Sequence, residues 1–440
     1  MRLSGPDAWI ITQKIFKKPE TKKDFKTFKH SQFYYGWIID PNDNNIIDEG
    51  IVLAFKNPKS YTTEDLTEIQ CHGGLNVTQK ILEICIEQGA RIAEKGEFTK
   101  RAFLGGRIDL TQVEAILDII SAKTELFSSV AAYNLSGKLS ELINNIRHDL
   151  IQLISHIEAS IDFPDEVDEM PYEDIKVNLT TIKNTINTVI KKASDGNILK
   201  HGIKIAIIGK PNVGKSSLFN HLLNSDRAIV TNIPGTTRDI LQEYIDIDGI
   251  PAILIDTAGI RETETKSDND YIESIGINRS KNAIYDSDLI LFVYDISQGL
   301  TNEDNEIYKE AIKYNKPILQ LANKSDLIEE NINHLDNTVQ LSALNGKGIN
   351  ELKDNIKAIV LGDTFNISRD EVYINMRHKE CLTKAKQHIE LAYNALEYRE
   401  VQDLISIDIK AALLALNEIV GEVVAEEILD NIFSQFCVGK

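Results

Sequence analysis

The chain has 440 residues, 42% of them hydrophobic, and a formal net charge of −19 at neutral pH. That length leaves room for roughly two to four domains with ample core, no apolar run approaches the roughly 20 residues of a membrane span, and so acidic a balance excludes a general nucleic-acid coat, leaving only local RNA contact. The four cysteines, Cys71, Cys85, Cys381 and Cys437, form no Cys-x-x-Cys pair, which argues against a zinc site or disulfide framework and fits a soluble, cytoplasmic protein.

The N-terminal stretch alternates strand and turn signals. Phe33 to Ile39 and Ile46 to Phe55 flank the turn-rich Asp40-Pro41-Asn42-Asp43-Asn44-Asn45, the pattern of a hairpin. Residues 75 to 88 are periodic and stop at Gly89, so a helix packs on that sheet, giving a small α+β domain over 1–108. Lys14, Lys17, Lys18, Lys22, Lys23, Lys26 and Lys29 form a basic run; a solvated loop explains it better than an RNA contact. From Asp109 to Phe163 the period lengthens to that of bundle helices, and a further helix runs from about Ile175 to Ala193, ended by Asp195-Gly196-Asn197.

Ile203 to Ile208 then reads as a strand buried in a parallel sheet, followed by the phosphate-loop spacing of Gly209, Gly214, Lys215 and Ser216. Backbone N–H groups from Asn212 through Val213, Gly214, Lys215 and Ser216 to Ser217 would surround a β-phosphate at a helix N-terminus, with Lys215 on the β/γ oxygens and Ser216 on magnesium. Thr236 and Thr237, in the run Thr231, Asn232, Ile233, Pro234, Gly235, Thr236, Thr237, close from the other side, Thr237 on the metal. Asp256-Thr257-Ala258-Gly259 ends a strand and supplies a carboxylate for the magnesium shell and a glycine N–H for the γ-phosphate. Ile260 stands where a Ras-like protein has a water-orienting glutamine, so either hydrolysis is very slow or another acidic group between Arg261 and Glu273 orients the water. The Asn212 side chain either satisfies its own loop or ligates a monovalent cation beside the phosphates.

Asn323-Lys324-Ser325-Asp326 follows the apolar run Pro317 to Ala322 and selects guanine: Asp326 accepts from N1–H and the 2-amino group, which adenine lacks, and a buried carboxylate left unpaired costs several kcal/mol. Ser342 and Ala343, with Leu344 following, would offer backbone N–H to the guanine O6. Ile349 to Val360 forms the last helix of a Ras-like P-loop domain over 201–362. Helical periodicity resumes from Val372 to Leu396 and from Asp403 to Phe436, so the α/β domain is expected to be inserted in one all-α bundle made of 109–200 and 363–440. Near the end, Cys437 reads as a buried structural cysteine rather than a reactive thiol or a lipidation site.

These motifs, together with Glu68-Ile69-Gln70-Cys71-His72-Gly73-Gly74, Gly96-Glu97-Phe98-Thr99-Lys100-Arg101-Ala102-Phe103-Leu104, Asp109-Leu110-Thr111-Gln112 and the ending Phe436 to Lys440, resemble the MnmE (TrmE) family of tRNA-modification GTPases over nearly the whole chain. The resemblance implies a folate-binding N-terminal domain that makes a homodimer. It also implies a flavin (FAD) partner, MnmG (GidA), that joins it in a heterotetramer. The implied reaction is addition of an aminomethyl-type group at C5 of the wobble uridine of certain tRNAs, with 5,10-methylene- or 5-formyl-tetrahydrofolate as cofactor. By the same resemblance Asn212, Thr231, Ile233 and Thr236 bind potassium. Glu273, with Asn212 and Thr236, serves catalysis by positioning the attacking water, and Arg2, Glu68, Arg107 and Lys440 contact folate. Arg107 replaces a more usual lysine, keeping the charge but changing the donor geometry. The family carries a further segment with a glycine-rich turn and a first strand ahead of Met1-Arg2-Leu3-Ser4; either the true start lies upstream or the folate domain is a strand short. An Era-like ribosome-assembly GTPase and a GTP-binding scaffold without hydrolysis are the alternatives.

Overall fold

The computed structural model describes residues 1–18, 28–191, 193–225, 244–256, 283–328, 338–361 and 371–439. Contacts divide the chain into two units, one of Met1–Leu117, Leu135–Asn178 and Gln387–Lys440, the other of Asp118–Asn134 and Leu179–Lys386.

In the first unit, β1 (Arg2–Ser4), β2 (Phe16–Lys17), β3 (Gln32–Ile39), β4 (Ile46–Phe55) and β5 (Leu66–Gln70) form an antiparallel sheet in the order β1-β5-β4-β3-β2. Alternation puts Tyr34, Ile38, Val52, Ala54 and Ile69 on one face, where Ile11 and Ile15 of the helix Ala8–Ile15 and Ile81, Ile84 and Cys85 of the helix Leu75–Glu87 cover them. The expected hairpin and helix are therefore both present. Further along, Leu139, Ile143, Ile146, Leu150, Leu153 and Ile157 line one stripe of the helix Lys138–Asp162, and Ile405, Ile409, Ala412, Leu416 and Ile419 line one of the helix Gln402–Val420. Spacings that alternate four and three keep each stripe on one side, and the two helices pack together. Arg147 Nε donates to Asn417 Oδ1 across them at 2.7 Å.

One correction concerns the stretch from Asp403 to Phe436. It is two helices, Gln402–Val420 and Glu426–Ser434, because Gly421 turns left-handed at φ +90° and a Cβ there would press on the ring of Phe103 and on Leu110.

The second unit is built on a six-stranded sheet of β6 (Ile203–Ile208), β7 (Tyr244–Ile247), β8 (Ile250–Asp256), β9 (Leu289–Asp295), β10 (Ile318–Asn323) and β11 (Thr338–Gln340), ordered β11-β10-β9-β6-β8-β7. All pairs are parallel except β7 with β8. The central strands β6 and β9 are buried almost throughout, as a sheet covered on both faces requires.

Helical segments of this unit meet at Tyr373. The Asn134 side chain donates to the Tyr373 carbonyl at 2.7 Å and accepts from its N–H at 3.3 Å, and the Phe127 ring meets the Tyr373 ring edge-on at 5.5 Å between centroids. Gly196 belongs here as well. It does not end the preceding helix as expected: Ala193–His201 is helical, and the missing side chain makes room for the Tyr373 ring, with which a Cβ would collide. Replacing Asn134 by alanine strips both partners from a buried backbone unit and is expected to cost about 2–4 kcal/mol. Thermal melting followed by circular dichroism checks this, and an unshifted transition would refute it.

Candidate functional site

The phosphate loop leaves the carboxyl end of β6, where the chain passes to β7 and β8 on one side and to β9, β10 and β11 on the other. Gly209 has φ +147°, and a Cβ there would collide with the Val293 carbonyl of β9; Gly214 has φ +96°. Asn212 itself is left-handed at φ +63°, a conformation asparagine tolerates, and its exposed side chain bonds no described residue. Val213 is buried, Lys215 opens the helix Lys215–Ser225, and Ser216 and Ser217 lie exposed on its first turn, where helical N–H groups have no partner within the helix. Lys215 Nζ arches over the loop to the carbonyls of Gly209 (2.7 Å) and Lys210 (2.8 Å).

Asn323, at the end of β10, donates from Nδ2 to the Val213 carbonyl (2.8 Å) and accepts at Oδ1 from the Ala343 N–H (3.0 Å). Its Nδ2 also fills the space that a Cβ on Gly214 would need. The base motif and the phosphate loop are thus one construction. Two expectations change. The N–H groups of Ser342 and Ala343 are engaged by the Lys347 carbonyl and by Asn323, so among the described residues the next donor along that edge is the N–H of Leu344, whose side chain is exposed. Asp326 is exposed rather than buried, with the Ser342 hydroxyl donating to its Oδ1 at 2.5 Å, so any penalty for leaving it unpaired depends on what covers it.

Sequence reasoning missed two ion pairs that hold the loops. Lys210 Nζ lies 3.1 Å from Asp304, a fully buried carboxylate that also accepts from the Thr301 hydroxyl (2.6 Å) and N–H (3.0 Å). Burial pushes the Asp304 carboxyl up, but the bonds from Thr301 and Lys210 outweigh it and hold it below its usual value. The signal was available as a Thr-x-x-Asp capping box opening the helix Asn302–Ile312. Lys324, left-handed at φ +67°, reaches Asp295 at the end of β9 (2.7 Å); there too burial acts upward and the bonds from Lys324 and Ser297 prevail.

Asp256 ends β8 in register with Ile207 of β6, next to the phosphate loop. Thr231, Asn232, Ile233, Pro234, Gly235, Thr236, Thr237, Thr257, Ala258, Gly259, Ile260, Glu273 and Lys440 lie outside the described residues.

In the other unit the structure brings three of the expected folate contacts together. Arg2 Nε bonds Glu68 Oε1 at 2.7 Å, and the guanidinium groups of Arg2 and Arg107 both lie over the Tyr61 ring. Val438 pairs with Lys95 in an antiparallel bridge. Cys437 beside it is exposed, contrary to expectation, and Phe436 is the residue buried instead.

Comparison with known proteins agrees with this architecture. Residues 1–107 match the family model described as the GTP-binding protein TrmE N-terminus, and residues 110–437 match that of the MnmE helical domain. The chain is 46% identical over its full length, and over 96% of the relative, to the tRNA modification GTPase MnmE of Thermoanaerobacter pseudethanolicus. It is 42% identical to that of Acetivibrio thermocellus, over all of this chain and 95% of the relative. Era of Aquifex aeolicus bound to GDP.AlF4- aligns at 28% identity over 43% of this chain and 67% of that one with a TM-score of 0.29, too loose a superposition to add to the assignment. A phosphate loop and a guanine motif joined through one asparagine, on a chain aligned end to end with these relatives, identify it as a member of the MnmE family of tRNA modification GTPases.

Proposed function

We propose that the chain hydrolyses GTP with Mg2+ and potassium and, together with an FAD-dependent partner of the MnmG type, modifies C5 of the wobble uridine of certain tRNAs with a folate one-carbon unit. The observation that carries the nucleotide part is Asn323, whose single amide holds the phosphate loop at Val213 and the base loop at Ala343. Guanine would meet Asp326 and the Leu344 N–H, and the phosphates would meet the N–H groups of 212 to 217. Magnesium would take the Ser216 hydroxyl, with Asp256 and Thr237 beside it. Potassium would take the Asn212 amide oxygen, for which the left-handed, exposed residue is suited, with Thr231, Ile233 and Thr236. Potassium supplies positive charge beside the phosphates, and Glu273 orients water in place of the glutamine that Ile260 displaces.

The domain reading is that 201–362 is inserted between helical segments 109–200 and 363–440, behind a folate-binding, dimerising domain over 1–108. A helical-domain match running from 110 to 437 across the nucleotide motifs supports it.

Three outcomes are expected. Phosphate release from GTP should be strongly stimulated by potassium over sodium, and indifference to the cation would remove the Asn212 role. Asp326→Asn loses one acceptor for the guanine N1–H and 2-amino pair and should weaken GTP by about tenfold or more while favouring xanthosine triphosphate, whose 2-oxo group accepts from the new amide; competitive nucleotide titration reads both. Wobble nucleosides from a deletion strain, separated by liquid chromatography, should lack the C5 aminomethyl-type group, and unchanged uridines would overturn the substrate assignment.

A further inference from the structure

The basic cluster of the first unit is organised by a residue that no motif singled out. The Arg2 guanidinium carbon lies 5.4 Å and that of Arg107 4.7 Å from the centre of the Tyr61 ring. The Tyr61 carbonyl also accepts from Arg107 Nη1 (3.3 Å), and its hydroxyl meets the buried Thr99 of the helix Glu97–Leu104 at 3.1 Å. The loop that carries the ring is fastened on several sides. The Ser60 hydroxyl closes it onto the Glu64 carbonyl (2.6 Å), and the Glu64 carboxylate accepts from Ser4 (2.8 Å) and from Arg101 (2.7 Å). Gly105 has no side chain because Thr63 occupies the space a Cβ would need. Behind Arg101 stands Glu97, whose carboxyl the Arg91 bond above all, with Arg101, brings down to about 2, so this support stays ionised at neutral pH.

Two like charges over one ring repel, and the face of the ring offsets that only in part. Glu68 neutralises Arg2, whereas Arg107 has no carboxylate partner among the described residues. The arrangement suits a ligand with a flat aromatic system and an anionic tail, which folates combine. We propose that Tyr61 is a positioning residue that fixes Arg2 and Arg107 for a folate ligand; this rests on the folate reading given above. The ring face, not the hydroxyl, does the holding.

Calorimetric titration of 5-formyl-tetrahydrofolate into the full chain tests it, with the unaltered protein, Tyr61→Phe, Tyr61→Leu and Arg107→Ala compared, and circular dichroism melting to show that each is folded. The unaltered chain and Tyr61→Phe should bind within about twofold of one another, while Tyr61→Leu and Arg107→Ala should bind about tenfold more weakly. Should Tyr61→Leu bind like the unaltered chain while Arg107→Ala is weakened, the positioning role is overturned and the folate reading stands. Equal losses in Tyr61→Phe and Tyr61→Leu would assign the effect to the hydroxyl bond with Thr99 and overturn the ring mechanism. Absence of binding by the unaltered chain overturns the folate reading and this inference with it.

Discussion

One buried amide joins the loop that follows β6 to the loops that follow β10 and β11. Asn323 uses a donor on the Val213 carbonyl and an acceptor for the Ala343 N–H, and both of those backbone groups belong to buried residues. Aspartate has the same outline but no donor, and leucine has neither donor nor acceptor, so only an asparagine satisfies both groups at that reach. The constraint extends to Gly214, since the amide nitrogen stands where any other residue would carry its Cβ. Two motifs that lie 110 residues apart in the chain therefore determine one another's side chains.

Charge is handled the same way, locally and against the average. The chain is strongly acidic, yet Lys210, Lys215 and Lys324 gather around the loops, and two of them are tethered by carboxylates almost wholly removed from water. Desolvating such a pair consumes much of what the attraction returns, so its contribution is better understood as fixing geometry than as adding stability. Asp304 illustrates this: it caps a helix, holds the start of the phosphate loop through Lys210 and stays ionised because its hydrogen bonds prevail over burial.

Local regularities are legible in the sequence itself. The strand, loop and helix from Ile203 to Ser217, the hairpin around Asp40 to Asn45 and the long amphipathic helices all arise from near-neighbour periodicity and turn chemistry, which a sequence displays directly. What escaped depends on partners distant in the chain. Gly196 has the look of a helix stop, but its reason is the ring of Tyr373; Gly421 sits inside an apparently continuous helical pattern, and its break is set by Phe103 and Leu110. The N–H groups of Ser342 and Ala343 looked available because their acceptors, Lys347 and Asn323, are identified only once the loops have folded. Cys437 and Phe436 were indistinguishable by composition, and which of them is covered is decided by packing alone.

The clasp at Tyr373 has a bearing on how the chain is put together. Asn134, Phe127 and Gly196 precede the nucleotide-binding stretch and Tyr373 follows it, yet they touch. The two points are therefore fixed by one set of buried contacts, and the backbone at Tyr373 has no freedom that is independent of Asn134. Because both bonds go to main-chain groups, the contact sets the path of the chain there whatever side chain stands at 373.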